Sequence, residues 1–190
     1  RWTNGRWPSK GGLEFKSPSD RVRFQSDDPY QTITLSAWVR LEAMPNRTMC
    51  LISSSENAKN SLTWNLQGSG KLSLGLKNDK GKGYKNFSSP QIINRSMLGK
   101  WLHLTTVFNS IDRTVTHYLN ANEVSKSQIT GKAFSQILFG NAEIGNSSLK
   151  NPSGKTLIRH LTGRMDEFAI FGRALNTEAI RRIYQIGKPN

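Results

Sequence analysis

The chain has 190 residues and a formal net charge of +14, from 27 Lys and Arg against 13 Asp and Glu. This length suits a single domain that buries about 70% of its unfolded surface, so the core needs no disulfide or metal. The one cysteine, Cys50, excludes an internal disulfide and is predicted to be a buried, unreactive thiol. No apolar run approaches the roughly 20 residues of a membrane-spanning helix, and no signal peptide is recognisable.

The excess of positive charge favours acidic partners, such as nucleic acid, anionic lipid, or sulfated and uronic-acid glycans. The densest basic run is residues 71–85, in a stretch rich in Gly, Ser and Asn. No helix-turn-helix, zinc-finger, KH or RRM pattern accompanies the charge, so there is no specific nucleic-acid motif. Two interpretations stay open: residues 71–85 bind an anionic polymer, or the charge only keeps the protein soluble.

Short stretches of alternating apolar and polar residues predict β-strands along most of the chain. Residues 1–10, with Trp2 and Trp7, are predicted to be an irregular lead-in whose tryptophans cover apolar surface, and residues 11–190 are expected to form one domain. The predicted strands are residues 12–16, 21–25, 32–41, 49–53, 61–67, 71–77, 101–109, 113–120, 123–127, 136–144, 157–161 and 165–171.

Residues 61–67 and 71–77 form the clearest predicted hairpin, joined by a Gly-Ser-Gly turn. Leu62, Trp64 and Leu66 alternate with polar residues in the first strand, and three leucines alternate in the second. Each strand therefore has one face toward a core and one toward solvent. Residues 79–83 are predicted to begin a lysine-rich loop that includes Tyr84 and Phe87.

Residues 163–187 predict a strand, a tight turn and one short helix. Residues 165–171 carry apolar groups on both faces, which is typical of a strand inside a sheet that is covered on both sides. Asn176 is a good N-cap for the helix, and Gly187 predicts its end. Many short alternating strands and a single helix predict the all-β class, as an antiparallel two-sheet sandwich with one short C-terminal helix.

Three blocks of the chain resemble, in the right order, the laminin-G-like, concanavalin A-like jelly-roll domains. Residues 33–42 resemble the family's early Ala-Trp-Val strand, and residues 99–124 resemble its Trp-x-His strand and the hairpin after it. The closing motif is present here as Gly163, Met165, Asp166, Glu167, Arg173, Ala174, Leu175, Glu178, Ile180 and Tyr184. The resemblance implies a jelly-roll sandwich, a fold that carries many different functions.

Some members of that superfamily are glycoside hydrolases, which need two carboxylates roughly 5–9 Å apart across the scissile bond. The hydrolase relatives supply them as Glu-x-Asp-x-x-Glu on one strand, and this sequence has no such run. The adjacent acids Asp166 and Glu167 are expected to point to opposite faces, because neighbouring strand residues alternate. His103, His117 and His160 lack the spacing of a triad or a metal site. We therefore predict that the protein is not an enzyme.

The resemblance also implies a structural Ca²⁺, which members of the family often hold at the edge of the sandwich. The matching positions are Asp20, in an early turn, and Asp166, in the closing motif. Calcium takes about six to eight oxygen ligands, and backbone carbonyls near such a turn could complete the set. The alternative is that Asp166 pairs with a buried arginine or accepts hydrogen bonds from backbone amides.

A polar patch on the outward face of the first hairpin is the candidate ligand site. Sugars bind where aromatic rings offer a platform for their C–H faces and where amides and hydroxyls supply hydrogen bonds. The patch residues are Thr63, Asn65, Gln67, Ser73 and Lys77, with Tyr84 and Phe87 as the candidate platforms. The alternative interpretation is an ordinary solvated sheet face.

These observations predict a non-catalytic binding module whose ligand is a carbohydrate, with a protein ligand as the other kind of partner. Because the chain begins at Arg1 rather than Met, we expect it to be part of a longer extracytoplasmic protein, either secreted, periplasmic or on the cell surface. A second interpretation is a protein-interaction or sensory domain, because such jelly-rolls resemble the outer domains of membrane-anchored FecR-type regulators. The third is polyanion binding through residues 71–85.

Overall fold

The structure, a computed structural model, describes residues 1–44, 47–54, 58–131, 133–150, 154–155 and 158–189. These residues form two antiparallel sheets, which confirms the predicted all-β sandwich. The seven-stranded sheet contains, in spatial order, β1 (Trp2–Asn4), β2 (Gly11–Phe15), β13 (Gly163–Phe171), β4 (Thr32–Leu41), β9 (Trp101–Asn109), β10 (Thr114–Leu119) and β11 (Asn122–Gln128). The six-stranded sheet contains β3 (Val22–Ser26), β12 (Gly140–Ile144), β5 (Met49–Ser54), β6 (Leu62–Leu66), β7 (Lys71–Lys77) and β8 (Tyr84–Gln91).

The main core lies between the two sheets, where alternate residues of every long strand point inward. Ile33 and Leu35 of β4 meet Leu72 and Leu74 of β7 in one continuous apolar cluster, and none of the four is more than 1% exposed. The alternation predicted from the sequence therefore sets which face of each strand is buried. The other face of β7 carries Ser73, Gly75 and Lys77.

A chain of buried hydrogen bonds links the sheets through the core. Trp64 Nε1 donates to Thr106 Oγ1 at 2.7 Å, Thr106 donates to His117 Nδ1 at 2.7 Å, and His117 Nε2 donates to the Phe87 carbonyl at 2.9 Å. A neutral imidazole carries one ring proton, and because the Phe87 carbonyl can only accept, that proton is on Nε2 and Nδ1 accepts from Thr106. Burial lowers the pKa of His117 to about 4, which keeps the ring neutral.

The helix α1 (Thr177–Gly187) packs on the outer face of the seven-stranded sheet. The Asn176 side chain accepts a hydrogen bond from the Ala179 amide, as its position before the helix predicts. Ile180 is fully buried against this sheet face, and the Tyr184 ring stacks on Trp38 at 5.5 Å between centroids. A helix this short is marginal alone, so packing of this apolar face holds it in place.

Several strand predictions were wrong in extent. The lead-in contains β1, which pairs with β2, and Trp2 is 82% exposed instead of covering apolar surface. The predicted strand 136–144 is shortened to Gly140–Ile144, with a single bridge between Tyr30 and Ile137 before it. The predicted strand 157–161 begins outside the described residues, and residues 158–161 are not in a strand.

The structure also contains a strand that the sequence did not predict. Residues 84–91 form β8, which pairs with β7, although Tyr84 and Phe87 were expected to lie in the lysine-rich loop. Lys, Asn, Ser and Pro dilute the apolar alternation here, so the sequence carries little strand signal. This strand extends the predicted hairpin into a three-stranded surface, and that surface carries the site described next.

Candidate functional site

A cavity of about 280 Å³ opens on the outer face of the six-stranded sheet, over β6, β7 and β8. Period-two alternation turns Thr63 and Asn65 of β6, Ser73 and Lys77 of β7, and Asn86 of β8 toward it. The residues that line it are Thr48, Thr63, Asn65, Gln67, Ser73, Lys77, Tyr84, Asn86, Leu149, Lys150 and Arg159. We call it the sheet-face cavity.

One wall of the cavity comes from the described parts of residues 145–161, which we call the covering segment. The segment lies against β5, because the Gly145 amide donates to the Leu51 carbonyl at 3.0 Å and the Cys50 amide donates to the Arg159 carbonyl at 2.6 Å. Ser147 Oγ donates to Ser53 Oγ at 3.3 Å. A flat sheet face would be open to water, and this segment makes part of it concave.

The polar floor of the cavity is ordered by its own hydrogen bonds. Gln67 Nε2 donates to Ser88 Oγ at 3.2 Å, and Ser88 donates to Ser73 Oγ at 3.0 Å. Asn65 lies between these groups and Thr63, is only 6% exposed, and has a buried side-chain Oδ1 with no hydrogen-bond partner. That oxygen is closed off from the cavity, so its missing partner is an unfavourable contribution of about 1–3 kcal/mol within the sheet and is not a contact point for a ligand.

Tyr84 is the aromatic wall of the cavity, and two neighbours fix its position. Its hydroxyl lies 2.7 Å from Thr63 Oγ1, while the residue stays 48% exposed. The ring crosses the sheet over Gly75, where a Cβ would overlap the Tyr84 hydroxyl and lie 2.7 Å from Thr63 Oγ1. Burial of the hydroxyl raises the pKa of Tyr84, and the Thr63 hydrogen bond and the nearby Arg159 charge oppose that shift.

Six of the seven residues predicted as the ligand site line this cavity together: Thr63, Asn65, Gln67, Ser73, Lys77 and Tyr84. Phe87 does not. It is 2% exposed and belongs to the core, where it packs edge-on against Phe134, so it cannot serve as an exposed platform. Once residues 84–91 form a strand, alternation places Phe87 on the face opposite Asn86 and Ser88.

Sequence reasoning missed Gly75 and the residues that the covering segment brings to the cavity. A glycine at an outward position of an alternating strand marks a close approach by another group, so Gly75 carried a usable signal. Lys150 and Arg159 carried none, because their place follows from a long-range contact of the segment with β5.

The two positions that the resemblance implies for calcium do not fit the ion. Asp20 Oδ2 accepts hydrogen bonds from the backbone amides of Lys16 and Ser17, at 2.8 Å each, which lowers the pKa of Asp20. Asp166 faces the cationic side chains of Arg6 and Lys10. Among the described residues, no cluster of three or more His, Cys, Asp or Glu side chains could hold a metal ion.

The expectation that Asp166 and Glu167 point to opposite faces was wrong. A β-bulge shifts the register of β13 between Asp166 and Ala169, and Glu167 has a φ of +48°. The bulge breaks the alternation, so both carboxylates form ion pairs with Arg6 and Lys10. The Asp166 side chain is 2% exposed. The pair therefore serves as the anionic half of an ion-pair cluster.

The comparison with protein families agrees with the fold and with the sequence resemblance. The family model described as the concanavalin A-like lectin/glucanases superfamily matches residues 16–181. That match covers most of the chain, so the protein belongs to this superfamily. A comparison with curated proteins found no match.

Solved structures with a similar fold include a pentraxin and two botulinum neurotoxin domains. The heptameric SAP-like pentraxin from Limulus polyphemus is 20% identical, with a TM-score of 0.64 over 88% of this chain and 76% of that one. The botulinum neurotoxin serotype D binding domain is 17% identical, with a TM-score of 0.68 over 90% of this chain and 41% of that one. The serotype D ligand binding domain in complex with N-acetylneuraminic acid is 15% identical, with a TM-score of 0.68, 93% of this chain and 42% of that one.

At these identities the solved structures show a shared fold only. The chain spans less than half the length of the two toxin domains, so it corresponds to one part of each. In the described part of the chain, no helix has the length and hydropathy needed to cross a membrane.

Proposed function

We propose that the protein is a non-catalytic carbohydrate-binding module, with the sugar seated in the sheet-face cavity. The observation that carries this proposal is the position of Tyr84. Its ring is half-exposed at the wall of the cavity and is held there by Gly75 and Thr63, beside the polar floor. A fixed aromatic ring next to hydroxyl and amide groups is the arrangement that suits the apolar face and the hydroxyls of a sugar.

The size and chemistry of the cavity support a binding role. Its volume is close to the lower end of small-molecule sites, which begin at about 300 Å³, and so suits a short glycan unit. The described residues that line it include no Asp or Glu, whereas glycoside hydrolysis needs two such groups across the bond. The solved complex of a similarly folded toxin domain with N-acetylneuraminic acid is a further reason to consider sugars first.

We also propose that this module belongs to a larger extracytoplasmic protein, as the sequence resemblance implies. The interpretation as an outer domain of a FecR-type regulator rests on that resemblance alone and stays a prediction. Polyanion binding through residues 71–85 stays a prediction too. Lys77 of that run lines the cavity, while Lys80 and Lys82 lie exposed in the turn between β7 and β8.

A glycan array followed by titration calorimetry tests the proposal. The wild-type chain should bind at least one oligosaccharide, and Tyr84→Ala should abolish that binding because it removes the stacking surface. Trp2→Ala is the matched control, since Trp2 is an exposed aromatic residue outside the cavity. Equal binding by both variants, silence across the array, or release of cleaved sugar from a bound glycan would each contradict the proposal.

A further inference from the structure

Three cationic side chains line the sheet-face cavity: Lys77 from β7, and Lys150 and Arg159 from the covering segment. No carboxylate accompanies them among the described lining residues. Within the described chain, none of the three forms an ion pair, although several other cations do. The cavity therefore has a positive potential that these residues leave unbalanced.

Two arginines elsewhere in the fold do have carboxylate partners. Arg6 is buried and pairs with Asp166 at 3.1 Å, and Arg21 pairs with Glu143 at 3.0 Å. Arg159 is partly buried as well, but it faces the cavity without such a partner. A partly desolvated guanidinium gains most from an anion that matches its planar fork, such as a carboxylate or a sulfate.

The floor of the cavity is uncharged and polar, so it suits hydroxyl groups of the ligand rather than its anionic group. The hydroxyl and amide groups of Thr63, Ser73 and Gln67 suit the hydroxyls of a sugar, which a bare sulfate ion lacks. The exposed part of the Tyr84 ring requires an apolar face. A ligand with hydroxyl donors, a C–H face and one anionic group satisfies all three demands.

Building on the proposed function, we infer that the sugar in the sheet-face cavity is acidic. Its carboxylate or sulfate group contacts Arg159 and Lys150, its hydroxyls form hydrogen bonds with the polar floor, and its ring packs on Tyr84. The glycan class is thus one that contains uronic, sialic or sulfated units. The remaining positive charge of the protein, spread over other surfaces, is not needed for this selectivity.

Titration calorimetry with matched ligands tests this inference on the intact 190-residue chain. The carboxylate pairs are 3′-sialyllactose with lactose, and tetragalacturonate with its methyl ester. The sulfate pair is a chondroitin sulfate tetrasaccharide with its desulfated form. We expect the charged member of one kind of pair to bind about 10- to 100-fold more tightly, since hydrogen bonds to charged groups have that effect. Which kind of pair responds distinguishes carboxylate from sulfate.

Variants test whether the preference for the charged ligand depends on the residues of the cavity. Arg159→Gln should remove the preference for the charged member, and Arg159→Lys should keep part of it. The double variant Lys80→Gln with Lys82→Gln is the matched control, because both lysines are exposed and do not line the cavity. That control should keep the full preference. Thermal unfolding of each variant verifies that it folds.

The outcomes separate this inference from the proposed function. Tyr84-dependent binding that is equal for charged and neutral members overturns the acidic-sugar inference and leaves the carbohydrate module in place. A preference lost in the Lys80 and Lys82 variant but kept in Arg159→Gln also overturns it, because the anion then binds the turn. Absence of binding to every glycan overturns both.

Discussion

The Nε atom of Arg6 lies 3.1 Å from Oδ2 of Asp166, and neither side chain is more than 2% exposed. The same guanidinium donates to the Gly187 carbonyl and lies between the rings of Trp7 and Trp38, 4.5 Å from each centroid. The beginning of the chain is thereby attached both to the closing strand and to the end of α1. Residues 1–10 are an integral part of the domain.

Replacing Arg6 should destabilise the whole domain. Arg6→Ala leaves the buried Asp166 carboxylate with only the longer, 3.7 Å ion pair to Lys10, and we expect the free energy of unfolding to fall by about 3 kcal/mol in urea titrations. Arg182→Ala, which removes an exposed arginine on α1, is the matched control and should change it by less than about 0.5 kcal/mol. Adding Asp166→Asn to Arg6→Ala removes the buried charge and should recover part of the lost free energy of unfolding. Equal stability of the Arg6 and Arg182 variants would show that the buried pair is energetically unimportant.

Calcium should not stabilise the protein. The Asp166 carboxylate forms ion pairs with Arg6 and Lys10, and the Asp20 carboxylate accepts hydrogen bonds from backbone amides. A bound Ca²⁺ would have to displace these partners. We expect the same Tm in millimolar CaCl₂, in MgCl₂ and in EDTA. A Tm that rises with CaCl₂ concentration but not with MgCl₂ would mean that the native state binds Ca²⁺ and would contradict this prediction.

Stability should fall when the pH drops from about 6.5 to about 4. Burial lowers the pKa of both His103 and His117 to about 4, and the positive charge of Arg6 adds to the effect at His103. Between these pH values the unfolded chain binds protons that the native state does not, so the native state is favoured above pH 6.5 and loses that advantage on acidification. The loss should reach on the order of 3 kcal/mol per histidine near pH 4.

Urea titrations at several pH values measure this dependence. His117→Gln removes one titrating group, so its unfolding free energy should vary less between pH 7 and pH 4 than that of the wild type, whatever its stability at pH 7. Other groups that titrate below pH 5 contribute equally to both proteins and cancel in the difference. An unchanged pH slope in His117→Gln would contradict a neutral, buried imidazole.

Gly75→Ala should weaken glycan binding with little effect on folding. The added methyl group occupies the space of the Tyr84 hydroxyl and lies 2.7 Å from Thr63 Oγ1, so the half-exposed Tyr84 side chain has to swing into solvent and the Thr63 hydroxyl has to rotate away. Binding should fall about as far as in Tyr84→Ala, while the free energy of unfolding changes by about 1 kcal/mol or less. Gly11→Ala is the control, because its Cβ would meet Trp2 at an ordinary 3.5 Å. Full binding by Gly75→Ala would show that the position of Tyr84 is unimportant.

The sequence was most informative where alternation is regular. In β6 and β7 one face is apolar and the other polar, so the sequence predicts that Thr63, Asn65, Ser73 and Lys77, together with Gln67 just after β6, face outward. The helix was equally predictable from its Asn176 cap and its apolar spacing. The strand faces and the start of the helix both depend on residues that are close together in the sequence, so a single sequence is enough to predict them.

The predictions that were wrong depend on irregular backbone or on distant contacts. The bulge in β13 brings Asp166 and Glu167 to the same cations, and no residue type in that stretch announces a bulge. The polar composition of β8 gives little strand signal, so Phe87 was predicted to lie at the surface although it is buried. Arg159 reaches the cavity through a contact with β5, about 100 residues earlier in the chain, a separation at which composition alone gives no information.

The contact between Arg6 and the carbonyl of Gly187 brings the two ends of the domain together on the outer face of the seven-stranded sheet. The sheet-face cavity lies on the far side of the sandwich, over the other sheet. Mechanical tension applied to both ends would therefore act first on the pairing of β1 with β2 and then on the Arg6 contact, both of which lie in the sheet opposite Tyr84.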